Sequence, residues 1–182
     1  MLYKRMCAGD IAAFEQFCLP VERPLLAYAA RIVPPVEAED LAQEALCRLF
    51  RLVRKGSLDP GKTSPRSLLF TIAHNLAMDF HRKSRREMDT SAENSAPAAS
   101  SDVERQFLRH EIDKAVAQLP ETQRQALLLR EYGGMTYDEI AQTMGVDLNN
   151  IRIWIYRARK RLATLLDRDG QFVGQPSERQ AP

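Results

Sequence analysis

Residues Thr136 to Leu166 read TYDEIAQTMGVDLNNIRIWIYRARKRLATLL, and this stretch decides the fold. Thr136 with Glu139 three positions on has the form of a capping box. In that motif a hydroxyl and a carboxylate satisfy orphan amides at a helix start. Ile140, Ala141 and Met144 then face inward. Gly145 falls where a tight turn needs a residue tolerant of positive φ. Asp147 is placed to cap a second helix, on which Ile151, Ile155, Ala158 and Leu162 share one stripe at about 100° per residue. Arg152, Ile153, Tyr156, Arg157 and Lys160 point the other way, flanked by Arg159 and Arg161. From Leu148 to Arg168 there are six basic residues against one acidic. Two helices across a glycine turn, the second strongly basic, make a helix-turn-helix. An outward row of arginines around an aromatic suits the major groove. A guanidinium can fork onto guanine, and an apolar side chain such as Ile153 can meet a thymine methyl. Neighbouring charge binds phosphate and fixes register. Trp154, at the border of the buried stripe, is placed for packing first and DNA second.

Upstream of this unit, Val103 to Leu119 is amphipathic through Leu108, Ile112, Ala115, Val116 and Leu119. Pro120 restarts the chain, Glu121 to Tyr132 forms the next helix, and Gly133-Gly134 ends it. Further back, residues 87–102 (EMDTSAENSAPAASSD) change character, with four acidic residues, no basic ones, four Ser and four Ala. Such a segment cannot bury enough apolar surface to fold by itself. Its 16 residues span at most roughly 50 Å at about 3.3 Å each. It is therefore a flexible linker between two helical domains that can sit well apart, either an inert tether or an acidic strand lying in a basic channel.

The N-terminal half is also helical. Asp10 opens a pattern with Ile11, Phe14 and Phe17, and Val21 to Ile32 carries a second with Leu25, Leu26, Ala29 and Ile32. Pro34-Pro35 stops it. Val36 to Val53 repeats apolar residues at Leu41, Ala45, Leu49 and Leu52, opposite an acidic face with Glu37, Glu39, Asp40, Gln43 and Glu44. Acidic residues early in a helix complement its dipole, and a solvated face is one reading of them. Lys55 to Ser64 is a loop by its Gly, Pro, Asp and Ser content. Pro65 to about Arg85 reads as one long helix with Leu68, Leu69, Ile72, Ala73, Leu76 and Phe80 buried, and it ends in HRKSRR, residues 81–86. Four basic residues in six exceed what a helix end needs, which favours a phosphate-binding edge.

Composition adds limits. The net charge of +2 names no partner, so the local asymmetries carry the argument. Cys7, Cys18 and Cys47 form no CxxC pair, which fits a reducing compartment without a disulfide framework. No apolar run approaches the roughly 18 residues of a membrane span. His74, His81 and His110 are scattered, with no paired carboxylates, phosphate loop or nucleophile motif beside them, so no metal, cofactor or catalytic site is expected. On these residues the choice lies between a free-standing helix-turn-helix regulator and a protein whose first half docks on something else.

The blocks in order decide between them. DLAQEAL, SLLFTIAHNLAMDFHRKSRR, a short acidic linker, LPETQRQALLLREYGGMTYDEIAQTMGV and NNIRIWIYRARKRL together resemble the extracytoplasmic-function sigma factors of bacterial RNA polymerase, over about residues 1–168. The resemblance implies an all-α fold of two small domains and a non-catalytic function in promoter recognition and transcription initiation. Residues 1–86 would be sigma region 2, 87–102 the acidic linker, 103–168 sigma region 4 and 169–182 a flexible tail. It implies that Asp40, Leu41, Gln43 and Glu44 dock on the clamp helices of the polymerase's largest subunit, with the flap of the second-largest subunit as a further contact. The loop 55–64 would capture a flipped base of the minus-10 element. Lys62, Ser64, Asn75, Asp79, Arg82, Lys83, Arg85 and Arg86 would hold the melted strand. Asn149, Asn150, Arg152, Ile153, Tyr156, Arg157, Arg159 and Lys160 would meet the minus-35 element. An anti-sigma factor is an expected partner, and the expected location is the bacterial cytoplasm, with that factor able to hold the protein at the inner membrane. Asn149-Asn150 stands where family members often carry Gly-Thr, and Ile153 and Trp154 stand where small, polar or basic residues are common. These departures bear on which sequence is read, not on how the helix binds.

Overall fold

A computed structural model describes residues 2–55, 64–87 and 103–167, with the helical backbone alone for Glu87 and 103–109. The base-capturing loop expected at 55–64 thus lies almost wholly outside the described residues, and so do the linker after Glu87 and the tail from 168. Among the described residues there are eight α-helices: α1 Leu2–Cys7, α2 Ile11–Ile32, α3 Pro35–Arg54, α4 Pro65–Glu87, α5 Val103–Ala117, α6 Glu121–Glu131, α7 Tyr137–Met144 and α8 Leu148–Asp167.

In the first four helices the structure redraws the sequence expectation. The two patterns on either side of Pro20 belong to one helix, α2, which runs through both Pro20 and Pro24. Its buried stripe of Ala13, Phe17, Val21, Leu25, Ala29 and Ile32 continues without a break at spacings of three and four. Each proline removes one backbone donor. The acceptors so released, on Gln16 and Pro20, belong to exposed residues, where water can satisfy them. Burial of an unbroken stripe therefore outweighs two interior prolines. Asp10 caps α2 by accepting the Ala13 amide at 3.0 Å. That amide and the Arg5 side chain hold the Asp10 carboxyl below its ordinary range. The fourth helix of this half is instead the short α1, whose Met6 is fully buried.

α2, α3 and α4 pack on one another around Leu25, Leu49, Val53, Leu69 and Phe70. Phe14 meets Phe50 at 4.9 Å between ring centres, and Tyr28 meets Phe70 edge-on at 5.4 Å. The buried sector of α4 is broader than its periodicity suggests. Leu68, Ile72, Leu76 and Phe80 are only half-buried, whereas Ser67, Phe70 and His74 are sealed. The cause is a second neighbour, because α4 carries α7 on this additional side. His74 Nδ1 lies 3.2 Å from the Tyr28 hydroxyl. Burial lowers its pKa to about 4, so the ring is neutral, and burial also raises that of Tyr28.

The C-terminal half matches the sequence more closely. Thr136 Oγ1 accepts the Glu139 amide at 3.2 Å while Glu139 Oε2 accepts the Thr136 amide at 2.8 Å, closing the capping box. Gly145 ends α7 in the left-handed region at φ 66°. Asp147 accepts the Asn149 amide at 2.7 Å and starts α8. Ile151, Ile155 and Ala158 are buried against α6 and α7, and Leu162 is half-buried. The two halves are not apart: α6 touches α2, α7 touches α4, and a single apolar cluster runs from Met6 to Ala158.

Candidate nucleic-acid interfaces

The outward face of α8 gathers the expected readers. Asn149, Asn150, Arg152, Arg157 and Lys160 are exposed, and Ile153 and Tyr156 keep 44% and 66% of their surface open. Ile153 and Tyr156 thus add apolar surface to an otherwise cationic face. Arg152 Nη1 lies 3.5 Å from Asn149 Oδ1, so the first turn presents an amide and a guanidinium side by side. Trp154 is half-buried against the core, as its border position suggests. Arg159 is turned elsewhere: it donates to Glu131 of α6 at 2.8 Å. That hydrogen bond raises its pKa. A groove of about 360 Å³ along the later turns is lined by Arg157, Lys160, Arg161, Thr164 and Leu165. Arg161 therefore belongs beside the expected set, and its place next to Lys160 was the available signal.

On α4, Asn75, Asp79, Arg82 and Arg86 are exposed along one side of the helix. Asp79 and Arg82 pair with each other. Arg85 reaches to 3.6 Å from Glu121 of α6. Lys83 is exposed, and Ser64 bonds Ser67 at the helix start, accepting its amide at 3.0 Å. Lys62 lies outside the described residues. Asn75 opens onto a cleft of about 300 Å³ that also holds Arg48, Arg51, Leu52, Lys55 and Ile72. Three cations around an apolar floor and an amide can take a planar, unstacked base together with its phosphate. Lys55 belongs to the expected base-capturing loop, whereas sequence reading did not single out Arg48 and Arg51, because on α3 they look like the basic end of an ordinary helix.

The acidic patch on α3 is divided. Asp40 and Gln43 face solvent, while Leu41 is 8% exposed and sits in the core. Leu41 thus anchors the patch from beneath rather than offering it a side chain. Glu44 accepts from Arg48 at 2.7 Å, with Arg51 at 3.6 Å, and the Arg48 hydrogen bond holds its carboxyl below the ordinary range. Glu44 therefore ties the acidic patch to two arginines of the neighbouring cleft.

A helix-turn-helix with a basic, partly apolar outer face, joined to a second helical domain with its own cationic cleft, defines a two-part nucleic-acid reader. Residues 20–87 match the sigma-70 region 2 family, and residues 109–162 match sigma-70 region 4. The RNA polymerase sigma-H factor of Pseudomonas aeruginosa is 33% identical over 174 residues, covering 87% of this chain and 89% of the relative. The ECF RNA polymerase sigma factor EcfG of Rhodopseudomonas palustris is 35% identical over 139 residues, covering 73% of each. Among solved structures, the sigma factor RpoE in complex with the anti-sigma factor NepR from Bartonella quintana is similar, with a TM-score of 0.67 and 30% identity over 86% of this chain and 98% of that one. The chain belongs to the extracytoplasmic-function sigma factors of RNA polymerase. Its function is accordingly to direct promoter recognition and transcription initiation, by binding core polymerase and the minus-10 and minus-35 elements.

Proposed function

We propose the following division of work among the residues. The N-terminal domain docks on core polymerase through Asp40, Gln43 and Glu44. It holds the melted minus-10 strand along Asn75, Asp79, Arg82, Lys83, Arg85 and Arg86, with Arg48, Arg51 and Lys55 closing the cleft beside Asn75. The C-terminal domain seats α8 in the major groove of the minus-35 element. Arg152, Ile153, Tyr156 and Arg157 meet base edges there, and Lys160 and Arg161 meet phosphate. Arg159 supports α8 from the side through Glu131. The protein performs no catalysis of its own, acts in the bacterial cytoplasm and is held in check by an anti-sigma factor. The observation that carries this reading is the outer face of α8, where exposed apolar residues and exposed arginines share one side of a helix whose other side is sealed.

The test compares two cations of that face in polymerase-dependent promoter binding across salt concentrations. Arg157→Ala should cost about 1–3 kcal/mol and relax selectivity at one base pair. Lys160→Ala should weaken all promoter variants alike and reduce the salt slope by about one. Equal losses for both variants on every sequence would refute the assignment of roles.

A further inference from the structure

One face of α3 changes sign along its length. Asp40, Glu44, Arg48, Arg51 and Lys55 follow one another at helical spacings of three or four and fall in one row. The row is acidic up to Glu44 and basic after it. Its acidic part belongs to the proposed polymerase contact. Its basic part lines the cleft of about 300 Å³ that Asn75 closes from α4. Glu44 stands at the change of sign and touches both. Its Oε1 accepts from Arg48 Nε at 2.7 Å and lies 3.6 Å from Arg51 Nη1. The two guanidiniums placed to hold a strand phosphate are thus offset in charge by a carboxylate of the docking patch. All three side chains reach solvent. An ion pair of this kind contributes about twofold to fivefold in an equilibrium, so a better partner can displace it.

We propose that Glu44 is a positioning residue shared by the two sites, and that it couples docking on polymerase to capture of the strand. In the free protein it holds Arg48 and Arg51 against α3 and offsets their charge at the cleft. A cationic group of polymerase that engages the Glu44 carboxylate takes this counter-charge away. The arginine donors then turn to the phosphates of the melted strand. No helix has to move for this exchange. All three side chains stand on one helix, and Glu44 to Arg51 is a rise of about 10 Å at about 1.5 Å per residue. By linkage, a strand in the cleft strengthens docking by the same factor as docking strengthens strand binding. The inference rests on the proposed reading of Glu44 as a docking residue and of the cleft beside Asn75 as a strand site.

Single-strand binding by the full-length protein tests it. The probe is a labelled oligothymidylate of about 12 nucleotides, read by fluorescence anisotropy over a range of salt. Glu44→Gln keeps the size of the side chain and removes its charge. Without polymerase it should bind the probe about threefold more tightly than wild type, with a steeper dependence on salt. Glu39→Gln removes the same charge from an exposed position of α3 outside the row, and should change affinity by less than half as much. Wild-type affinity in Glu44→Gln would overturn the proposal, and so would an equal gain in Glu39→Gln, which reduces the effect to net charge. Saturating probe should in turn tighten binding of core polymerase to wild type about threefold and to Glu44→Gln far less; equal tightening of both would again overturn it. Arg48→Ala/Arg51→Ala separates the coupling from the reading beneath it. This variant should bring wild type and Glu44→Gln to the same weaker probe affinity. Undiminished probe binding there would remove the strand site and the coupling with it. Weakened binding there, without a gain in Glu44→Gln, would keep the strand site and remove the coupling alone.

Discussion

Ile153 offers the sharpest test of base reading, because its role can be isolated on the DNA side by a single methyl group. It keeps 44% of its surface open between Arg152 and the 66%-exposed Tyr156. Thymine differs from uracil by the C5 methyl that projects into the major groove. Burying one such group against Ile153 is worth about 0.8 kcal/mol, or roughly a fourfold change in affinity. Replacing thymines of the minus-35 element by uracil, one at a time, should therefore reveal one position where the wild-type protein loses about fourfold. In Ile153→Ala the same replacement should cost nothing, because the partner surface is gone. Methylating a cytosine at that position should in turn strengthen wild type and leave the variant unchanged. The substitution lies on an exposed helical position where alanine is the better helix former, so the fold is retained and a melting curve confirms it. The assay is competition binding of holoenzyme to promoter fragments, read as a double-mutant cycle between protein and base. Methyl effects of equal size in wild type and variant at every position would refute the contact.

Two further outcomes follow from the framework around α8. Thr136→Ala should destabilise the C-terminal domain by about 1 kcal/mol through loss of its cap, measured by urea unfolding at neutral pH. Burial pushes the Glu139 carboxyl up, but hydrogen bonds from the Thr136 amide, the Ser67 hydroxyl and the Thr136 hydroxyl together leave it below the ordinary 4.5. A lowered carboxyl stabilises the fold above its unfolded pKa and loses that contribution as pH falls through the folded value. The stability gap between wild type and Glu139→Gln should thus be full near neutrality and close below about pH 4.5; a gap that widens on acidification would contradict the capping role. Arg159→Ala and Glu131→Ala should change stability by the same small amount, about 0.2–1 kcal/mol, because both partners are half-exposed. They should also lower minus-35 affinity equally, whereas a much larger loss for Arg159→Ala would return that arginine to the DNA.

How far the sequence discloses this molecule depends on the range of the interaction. The capping box at Thr136, the turn at Gly145 and the stripe Ile151, Ile155, Ala158 are local, and each is visible within a few residues of itself. α2 was misread as two helices for a local reason as well. Proline is a strong breaker on its own account, and only the continuous burial from Ala13 to Ile32 shows it overruled. The face of α4 that carries Phe70 was illegible for a different reason. Its partner, the turn at Gly133, lies 63 residues away, and periodicity within one helix cannot announce a second helix on its other side. Leu41 shows the same limit from the functional side. It stands inside the acidic block proposed to dock on polymerase, yet its own spacing with Ala38, Ala42 and Ala45 sends it to the core.

The contacts within each half differ in kind from some of those between the halves. Within each domain the long-range contacts are mainly apolar: Leu25, Leu49 and Leu69 in one, Leu129, Ile140 and Ile155 in the other. Exposing such groups is expensive, so each domain persists as a unit. Between the halves Arg66, Thr71 and Arg31 add hydrogen bonds and an ion pair to the continuous apolar cluster. Exchanging a protein hydrogen bond for one to water changes little in free energy. Salt further screens the exposed Arg85–Glu121 pair. The polar contacts between the halves are thus the more exchangeable part of their association.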